Sequence, residues 1–542
     1  MQKIYFNGDI ITMNDINETV PAILIEDDSI IFTGELSKAI KIANEDVEMV
    51  DLEGKTMLPG FIDSHSHFTG VANSLGQCDL KDAKSFMQIK EKIIDFIKIN
   101  KIKENDWVCA FNYDHNNLQE HCHPDRFFLD TISTKHPIIL IHVSSHMGVV
   151  NTLALKKMNI TNDISDPEGG HYGRDVNSGE LNGYLEEEAF IEFNKQRGML
   201  PIEKLLDLMK KAQDLYSSNG ITTVQEGMVN RQLFQLLKLA ASKKIFKLDL
   251  IGYIDLLKDR DLLLDNIENK DYHNHFRIGG YKIFLDGSPQ GKTAWMIKPY
   301  LNSQGYCGYP QFSDDQLYQL IAQAIEDHQQ LLAHCNGDRA CQQYISQFER
   351  YLNNYQGAKS YDPVMIHAQL VTKEQLVKMK KIQMIPSFFI AHTFYWGDVH
   401  IENLGYQRAS QISPAKTAFN QGLKVTFHND SPVISCDLMK TIWCAVNRKT
   451  KSGIDLGKEE TVTVYQALQA ITINGAYMYH EENIKGSLVA GKKADLVILN
   501  QNPLKIEPLN LDKIRVVETI KDGQTVYKSE KGAVTKGGFF NL

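Results

Sequence analysis

The sequence has little of what secreted, membrane-spanning or nucleic-acid-binding chains require. Its eight cysteines are scattered over 542 residues without a CxxC pair, which argues against a disulfide scaffold or a thiolate zinc finger and favours reduced thiols. No apolar run approaches the roughly 18–20 residues of a transmembrane helix, and the polar start MQKIYFNGD is unlike a secretory signal. No long basic run occurs, and 58 Lys and Arg against 67 Asp and Glu leave a net charge of −9. We therefore expect a cytoplasmic protein that binds neither nucleic acid nor membranes.

What is present is an ordinary globular composition. Hydrophobic residues make up 43% and charged residues 23% of the chain, which excludes disordered and fibrous classes. At roughly 150 residues per domain, the length allows three or four domains, or one large barrel with additions.

Short β-rich runs occupy both ends of the chain. They are residues 3–12, 22–27 and 28–33 at the start, and 494–499, 514–520 and 524–527 at the end. Strands of this kind bury one apolar face against a second sheet. We predict a composite β-sandwich built from residues 1–58 and 485–542, which requires the two ends of the chain to touch.

Strand and helix alternate through the middle of the chain. Apolar residues at helical spacing predict helices at 203–219 and 314–328. The buried-strand candidates are 59–63, 221–226, 246–254, 280–285, 330–334, 363–368, 382–386 and 423–427. Eight strands in this order predict an α/β protein with a (β/α)8 TIM-like barrel over residues 59–484.

The interval between the first two of these strands is too long for a structureless loop. It contains a predicted helix at 86–100, strands at 107–111 and 137–143, and a glycine-rich stretch at 169–183. We predict an inserted α+β subdomain at residues 70–200. Placed over the carboxyl-terminal mouth of the barrel, it would shape substrate specificity.

The strongest chemical signal is the histidine pair in FIDSHSH. Side chains two apart on a strand share a face, so His65 and His67 can aim at one cation. Alone, the pair could equally be two solvated residues at a strand end. Further candidates stand at or near other strand ends: Lys282, His334, His367 and Asp430. Because the carboxyl ends of parallel barrel strands converge at one mouth, their joint position favours a shared metal site.

Nearly the whole chain resembles the metal-dependent amidohydrolase superfamily, and within it amidohydrolase family 3, the YtcJ-like branch. The matching segments are NGDIITMN, MLPGFIDSHSH, SSHMGVVNTLAL, KIFLDGSPQGKTAWMIKPY, AHCNGDRA, MIHAQL, NDSPV and GSLVAGKKADLVILNQNPL. The DGS…TA…PY and HxxGDxA patterns are specific to the branch. The last segment is typical of the closing β-sandwich strands of the superfamily.

The resemblance implies a site with two divalent metal ions, expected to be zinc, in the barrel mouth. The ligands it implies are His65, His67, Lys282, His334, His367 and Asp430. Lys282 would be carboxylated on its amine and would bridge the ions. Asp430 would be the catalytic residue, acting as general acid and base for a metal-activated hydroxide.

Four more residues are candidates for substrate binding: His146, Asp286, Trp295 and His392. His146 lies where the family places a residue facing the metals. Asp286 could instead orient a loop, and Trp295 could belong to the core. A cluster of His115, His121 and His123 looks like a second metal site, but its irregular spacing favours a solvated loop.

Two positions depart from the branch. Ile366 stands where a Glu usually precedes His367, and His428 with Asn429 replaces the usual Gly-Ser before Asp430. Neither change removes an implied ligand. His428 could crowd the site or contribute to it.

The expected activity is hydrolysis of a non-peptide carbon–nitrogen bond in a small molecule. An N-formyl or N-acyl amide is favoured, because a deformylase is a known activity in this branch. Two alternatives stay open: a hydrolytic deaminase or cyclic amidase on the same site, and a non-catalytic metal-binding regulatory protein. The expected partner is a small-molecule substrate, with no nucleic acid and no membrane; a homodimer is left open.

Overall fold

A computed structural model describes residues 1–144, 146–197, 200–266, 271–355 and 357–529. The chain forms two compact units, one of Met1–Thr69 with Ala212–Leu542 and the other of Gly70–Lys211. The predicted domains also include residues 145, 198–199, 267–270, 356 and 530–542, which lie outside the described residues. Among the described residues, no helix combines the length and the apolar character needed to cross a membrane. All eight cysteines are free.

The strands of the described residues are numbered in chain order. They are β1 (Gln2–Ile11), β2 (Thr19–Glu26), β3 (Ser29–Gly34), β4 (Glu48–Asp51), β5 (Thr56–Pro59), β6 (Phe61–Ile62), β7 (Cys78–Asp79), β8 (Val108–Tyr113), β9 (Ile138–His142), β10 (Met147–Val150), β11 (Gly170–Arg174), β12 (Leu181–Glu187), β13 (Ile221–Val229), β14 (Asp249–Asp255), β15 (Phe276–Phe284), β16 (Gln330–Cys335), β17 (Val364–His367), β18 (Ile385–Phe388), β19 (Thr426–Phe427), β20 (Leu496–Leu499), β21 (Val516–Lys521) and β22 (Gln524–Lys528).

The α-helices are numbered in the same way. They are α1 (Leu36–Ile42), α2 (Phe68–Leu75), α3 (Phe86–Ile99), α4 (Arg126–Asp130), α5 (Thr152–Lys157), α6 (Glu188–Arg197), α7 (Ile202–Ser218), α8 (Arg231–Ser242), α9 (Leu256–Leu264), α10 (Asp314–Glu326), α11 (Asp338–Asn354), α12 (Lys373–Lys381), α13 (His392–Tyr395), α14 (Gly397–Leu404), α15 (Tyr406–Ala409), α16 (Ala415–Asn420), α17 (Leu438–Asn447), α18 (Val464–Ala470) and α19 (Ile473–Met478).

Both ends of the chain contribute to one eight-stranded sheet. Its order is β22-β21-β20-β5-β1-β2-β3, with β4 also paired to β1. Strand β20 runs antiparallel to β5, with Val497 opposite Leu58. Tyr5, Ile23 and Leu496 belong to one cluster of buried apolar residues on this sheet. Leu24 belongs to a separate cluster. The predicted contact between the chain ends is therefore present, while a two-layer sandwich stays a prediction.

The second large sheet has eight parallel strands in the order β6-β13-β14-β15-β16-β17-β18-β19, which is also their order in the chain. Helices connect successive strands, so the predicted α/β class is confirmed. No strand pair joins β6 to β19 in the described part of the chain. A hydrogen bond nevertheless joins Ser64, two residues after β6, to the last residue of β19, since the Ser64 hydroxyl donates to the Phe427 carbonyl at 3.0 Å. The Asp430 N–H also donates to the His65 carbonyl at 3.1 Å.

The predicted elements of this sheet differ from the observed ones mainly at their ends. Helices α7 and α10 lie within two residues of the predicted bounds, because apolar spacing and, for α10, a capping box with Ser313 fix them. The strand predicted at 382–386 begins at Ile385, since Ile382 is still the C-cap of α12. Ile366, the departure from the branch, is fully buried in the core of the sheet with Ile62 and Leu332.

The unit Gly70–Lys211 has a sheet of its own, in the order β11-β12-β10-β9-β8-β7. Strands β7, β8 and β9 are parallel, and the others are antiparallel. Helix α3 begins at its N-cap Ser85 and buries Ile89 and Ile93 against Val108 and Leu140 of this sheet. The glycine-rich stretch forms the hairpin of β11 and β12. The position of the inserted subdomain over a barrel mouth stays a prediction.

Candidate metal centre

Six side chains that the sequence singles out lie together at the carboxyl end of the parallel sheet. Two follow β6, three lie in β15, β16 and β17, and one follows β19: His65, His67, Lys282, His334, His367 and Asp430. Two of them, His367 and Asp430, adopt left-handed backbone with φ of 72° and 53°. Such conformations are uncommon outside glycine and concentrate at functional sites.

The first group of donors surrounds one carboxylate oxygen. Asp430 Oδ1 lies 3.4 Å from His65 Nε2 and 3.3 Å from His67 Nε2. This oxygen is buried and accepts no hydrogen bond from the described residues. A buried carboxylate oxygen without a donor is costly, and a cation between it and the two imidazoles would satisfy it. The geometry therefore fits a metal ion held by these three residues.

A second pair of donors comes from the next strands. His334 Nδ1 lies 3.0 Å from His367 Nε2. His334 Nε2 lies 3.2 Å from the Gly287 carbonyl and 3.0 Å from Asn336 Nδ2. A proton on Nε2 is donated to that carbonyl and leaves the lone pair on Nδ1. Two imidazole nitrogens this close can share one ion, because ligands of a tetrahedral zinc are about 3.3 Å apart.

Lys282 lies beside the first group. Its side chain is fully buried, and Nζ lies 3.3 Å from His65 Nε2. Burial lowers the pKa of Lys282 to about 7, against an ordinary value of 10.5, because the ammonium form loses its hydration. A large share of the amine is therefore neutral at physiological pH.

Three consecutive residues of β13, which the sequence analysis missed, surround the histidine pair. Gln225 Oε1 accepts from His65 Nδ1 at 2.6 Å, while its amide donates to Ser64 and Tyr479. This arrangement places the proton of His65 on Nδ1 and leaves the Nε2 lone pair facing Asp430. Glu226 Oε1 lies 3.8 Å from His67 Nδ1. At Gly227 an added Cβ would lie 2.6 Å from the His65 ring, so only glycine leaves it room.

The imidazoles are held neutral by burial, with one exception. Burial lowers the pKa of His334 to about 4 and drives those of His65 and His367 well below the ordinary range. Burial also opposes protonation of His67, but the Asp430 and Glu226 carboxylates outweigh it and raise its pKa to about 9. In the metal-free protein a proton on His67 thus supplies the positive charge that these carboxylates require.

His428, one of the departures from the branch, joins the network of the ligands. Its Nε2 lies 3.1 Å from His367 Nδ1, and its Nδ1 lies 2.9 Å from the Ser387 hydroxyl. Burial lowers the pKa of His428 to about 3, so its imidazole is neutral. Its contact with Nδ1 of His367 leaves Nε2 of that residue directed at His334.

Asp286 and Trp295, two candidates for substrate binding, lie in one loop cluster. The Asp286 carboxylate accepts N–H groups of Trp295 at 2.9 Å, Asn336 at 3.0 Å and Gly337 at 2.7 Å. Trp295 is half-buried, with the Arg339 guanidinium 4.9 Å from its ring centroid. Asp286 thus orients two loops, the alternative that the sequence left open. Contact of either residue with a substrate stays a prediction.

The other two candidates for substrate binding have different surroundings. His392 is buried at the start of α13, with Nδ1 3.1 Å from His400 Nε2. His146 belongs to the unit Gly70–Lys211, where its exposed ring lies 3.0 Å from Glu187. Their substrate contacts also stay predictions. Of the three loop histidines, His115 and His123 stack with ring centroids 4.0 Å apart, while His121 is exposed.

A different set of buried charges lies at the amino end of the same sheet. Asp249, the first residue of β14, is hydrogen-bonded to Lys485 and lies 3.2 Å from Lys521. Lys485 also lies 3.1 Å from Glu481, which pairs with Arg277 at 2.9 Å. These residues line a cavity of about 520 Å³. The cations here have carboxylate partners, which is typical of a structural network.

Imidazole nitrogens, an amine and a carboxylate at the carboxyl edge of a parallel α/β sheet form a donor set that suits a divalent metal ion. A model of the amidohydrolase family matches residues 48–527, and the chain belongs to this family. It is therefore a hydrolase that acts on carbon–nitrogen bonds, as the resemblance predicted.

Relatives and solved structures cover almost all of the chain. It is 26% identical to YtcJ of Bacillus subtilis (strain 168), over 97% of this chain and 100% of that protein. It is also 26% identical to the N-substituted formamide deformylase of Arthrobacter pascens, over 96% of this chain and 97% of that protein. A crystal structure of an uncharacterized metal-dependent hydrolase from Pyrococcus furiosus has a TM-score of 0.76 at 24% identity, covering 93% of this chain and 100% of that one.

Proposed function

We propose that the protein hydrolyses a non-peptide carbon–nitrogen bond of a small molecule, an N-formyl or N-acyl amide, with two divalent metal ions, zinc, at the centre described above. The observation that carries the proposal is the buried Asp430 Oδ1, which faces two imidazole nitrogens and has no hydrogen-bond donor among the described residues. The similarity to a formamide deformylase supports the choice of substrate.

The architecture proposed for this activity is a closed (β/α)8 barrel. The hydrogen bonds from Ser64 to Phe427 and from Asp430 to His65 link the segments after the first and last strands of the sheet. They support closure, which would bring all the carboxyl ends to one mouth.

The donor atoms would hold two ions in two groups. One would be held by His65 Nε2, His67 and Asp430, and the other by His334 Nδ1 and His367 Nε2, with Lys282 as the bridge. Bound divalent ions supply Lewis acidity and lower the pKa of a water molecule toward neutrality. The residues around them fix the tautomers, Gln225 for His65 and the Gly287 carbonyl for His334.

Lys282 becomes an anionic ligand by reacting with carbon dioxide. Its neutral amine forms a nitrogen–carbon bond with CO₂ and releases a proton, which leaves a carbamate on Nζ. The low pKa of the buried Lys282 amine supports this step, since only the neutral form reacts. Two carbamate oxygens would offset the repulsion between the dications.

Asp430 moves the proton. Burial opposes ionisation of its carboxyl, but the charge of His67, whose Nε2 lies 3.3 Å from Asp430 Oδ1, keeps the pKa of Asp430 below its ordinary value, so it is a carboxylate at neutral pH. It accepts a proton from the attacking water on a carboxylate oxygen and returns it to the leaving nitrogen. No Ser or Cys nucleophile is needed, because water attacks the carbonyl carbon directly.

The test uses the full chain, stripped of metal with a chelator and reconstituted with Zn²⁺, with and without bicarbonate. It is assayed against a library of N-formyl, N-acyl and cyclic amides. We expect release of amine together with formate or another carboxylate, only after Zn²⁺ is added, and faster reconstitution with bicarbonate.

Each other outcome corresponds to a rival function. Release of ammonia would establish the deaminase, and ring opening without a released product would establish the cyclic amidase. Zn²⁺ binding without turnover of any compound would overturn the proposal in favour of the regulatory protein.

A further inference from the structure

A second group of metal-binding side chains lies within the unit Gly70–Lys211. We name it the His142 cluster, consisting of Asp114, His115 and His142. Strands β8 and β9 are adjacent and parallel, with Tyr113 opposite His142. The carboxyl ends of these strands therefore bring the Asp114-His115 pair beside His142, although 27 positions separate the two histidines.

The donor atoms of the cluster are spaced for one ion. His115 Nδ1 lies 3.2 Å from His142 Nε2, and His142 Nε2 lies 3.7 Å from Asp114 Oδ1. All three residues offer donor atoms within 4.8 Å of one another. Ligands on a tetrahedral zinc with bonds of 2.0–2.1 Å are about 3.3 Å apart, so small movements would seat an ion.

The ligands are held by neighbouring polar groups, as ligands of metal sites usually are. Asp114 accepts the N–H of Asn116 at 3.0 Å and the amide of Asn117 at 2.7 Å. His142 is buried, and its Nδ1 lies 2.9 Å from the Ser144 hydroxyl and 3.1 Å from the Ser144 N–H. In the metal-free protein Nδ1 of His142 accepts the Ser144 N–H, so the ring proton lies on Nε2. An ion at Nε2 would displace this proton, and a proton on Nδ1 would then be donated to the Ser144 hydroxyl.

His123 covers the cluster without joining it. Its ring stacks on His115 at 4.0 Å, and its Nδ1 lies 3.0 Å from the Tyr113 hydroxyl. Either group can be the donor in this hydrogen bond, since the hydroxyl of a tyrosine both donates and accepts. His123 is not among the three residues whose donor atoms lie within 4.8 Å of one another, so a four-coordinate ion held by those three would keep one position open.

We propose that Asp114, His115 and His142 bind one divalent transition-metal ion of the zinc type, with an open position for water or another small ligand. Two imidazoles and one carboxylate are a donor set that Zn²⁺ and its neighbours in the first transition series accept. The site uses none of the residues of the candidate metal centre, so it is independent of the proposed function.

The test counts metal in the full chain after reconstitution with Zn²⁺ alone. The variants are His115→Gln and Asp114→Asn, which alter half-buried side chains, and the matched control is His171→Gln. His171 is an exposed histidine of the same unit, paired with Asp166. We expect the two cluster variants to bind one equivalent less than the wild type, and the control to bind the full amount.

The affinity of the site provides a second measurement. In the His67→Asn and His334→Asn double variant, which removes a ligand from each of the two proposed ion positions of the candidate metal centre, a Co²⁺ titration should still give visible absorption bands. Adding His115→Gln should weaken that Co²⁺ binding by more than the roughly 10–100-fold typical of losing an outer partner. Equal metal content in wild type and both cluster variants, with folded protein by circular dichroism, would overturn the proposal and leave the proposed function untouched.

Discussion

Two buried lysines, Lys282 and Lys485, lie at opposite ends of the same parallel sheet. Their surroundings shift their pKa values in opposite directions. Burial lowers the pKa of Lys282 to about 7, with the nearest basic nitrogen 3.3 Å away on His65. Burial acts on Lys485 as well, but Asp249 and Glu481 outweigh it and raise the pKa of its ammonium. One end of the sheet thus keeps a reactive amine, and the other keeps a permanent cation.

The comparison distinguishes buried charges that stabilise the fold from buried groups that bind a metal ion or take part in the reaction. At the amino end Lys485 and Lys521 have carboxylate partners, so removal of one partner leaves another charge unpaired. At the carboxyl end Nε2 of His65 and Nδ1 of His334 direct lone pairs toward the other ligands, and Asp430 Oδ1 accepts no hydrogen bond from the described residues. Such an arrangement is costly in the metal-free protein and is relieved by a bound cation.

The largest effect is expected from Asp430→Asn. Because Asp430 is both a proposed ligand and the proposed acid–base group, turnover should fall by about 10³–10⁴-fold. The free energy of unfolding of the metal-free protein should fall at neutral pH, since the carboxylate of Asp430 and the protonated His67 stabilise each other. Steady-state kinetics and urea unfolding measure the two quantities. Asp315→Asn, which alters an exposed carboxylate paired with Arg350, is the control and should change neither.

The second effect contrasts the two lysines directly. Lys485→Met leaves Asp249 and Glu481 with fewer partners, and breaking such a buried pair costs about 3–5 kcal/mol of unfolding free energy. Lys282→Met replaces an unpaired buried amine by an apolar side chain of similar length, so the metal-free protein should lose no stability. Zn²⁺ binding should be impaired in Lys282→Met alone. Equal destabilisation by both substitutions would contradict the distinction between the two ends.

The smallest effect is a pH dependence of the metal-free protein. The pKa of His67 is raised from 6.5 to about 9, so its contribution to stability is present below pH 6.5 and is lost as the pH rises through 9. The pKa of Lys282 is lowered from 10.5 to about 7, so its contribution increases with pH between 7 and 10.5. Between pH 7 and 9 these contributions oppose each other.

Thermal unfolding in the presence of a chelator separates the two groups. Relative to the wild type, Lys282→Met should become less stable as the pH rises from 7 to 9. His67→Gln should become more stable over the same range. Parallel curves for all three proteins would rule out both assignments.

Much of the parallel sheet and its carboxyl edge could be predicted, because the signals are local. His65 and His67 share a face by strand periodicity, and His334 and His367 follow apolar runs that can only be buried strands. The convergence of distant strand ends then follows from a parallel topology. The start of β18 was harder to predict, because Ile382 is apolar like a strand residue although it is the C-cap of α12.

The residues around the ligands could not be predicted in the same way. Gln225 looks like any polar residue at the end of a strand, and its role depends on His65, which lies 160 positions away. Asp286 was a candidate either for substrate binding or for orienting a loop, and its observed partners are backbone N–H groups of two loops whose conformation no motif determines. His142 could not be predicted as part of a cluster, because its partner His115 follows a different strand and lies 27 positions away in the sequence.

The sheet shared by both ends of the chain affects how the protein can be made. Strand β5 has its antiparallel neighbour β20 about 440 positions further along the chain, with Leu58 opposite Val497. At synthesis rates of about 5–20 residues per second, β20 is synthesised roughly 20–90 s after β5, and this edge of β5 is unpaired until then. An unpaired edge is a template for pairing with other nascent chains, so ribosomes must release nearly the whole polypeptide before this hazard ends.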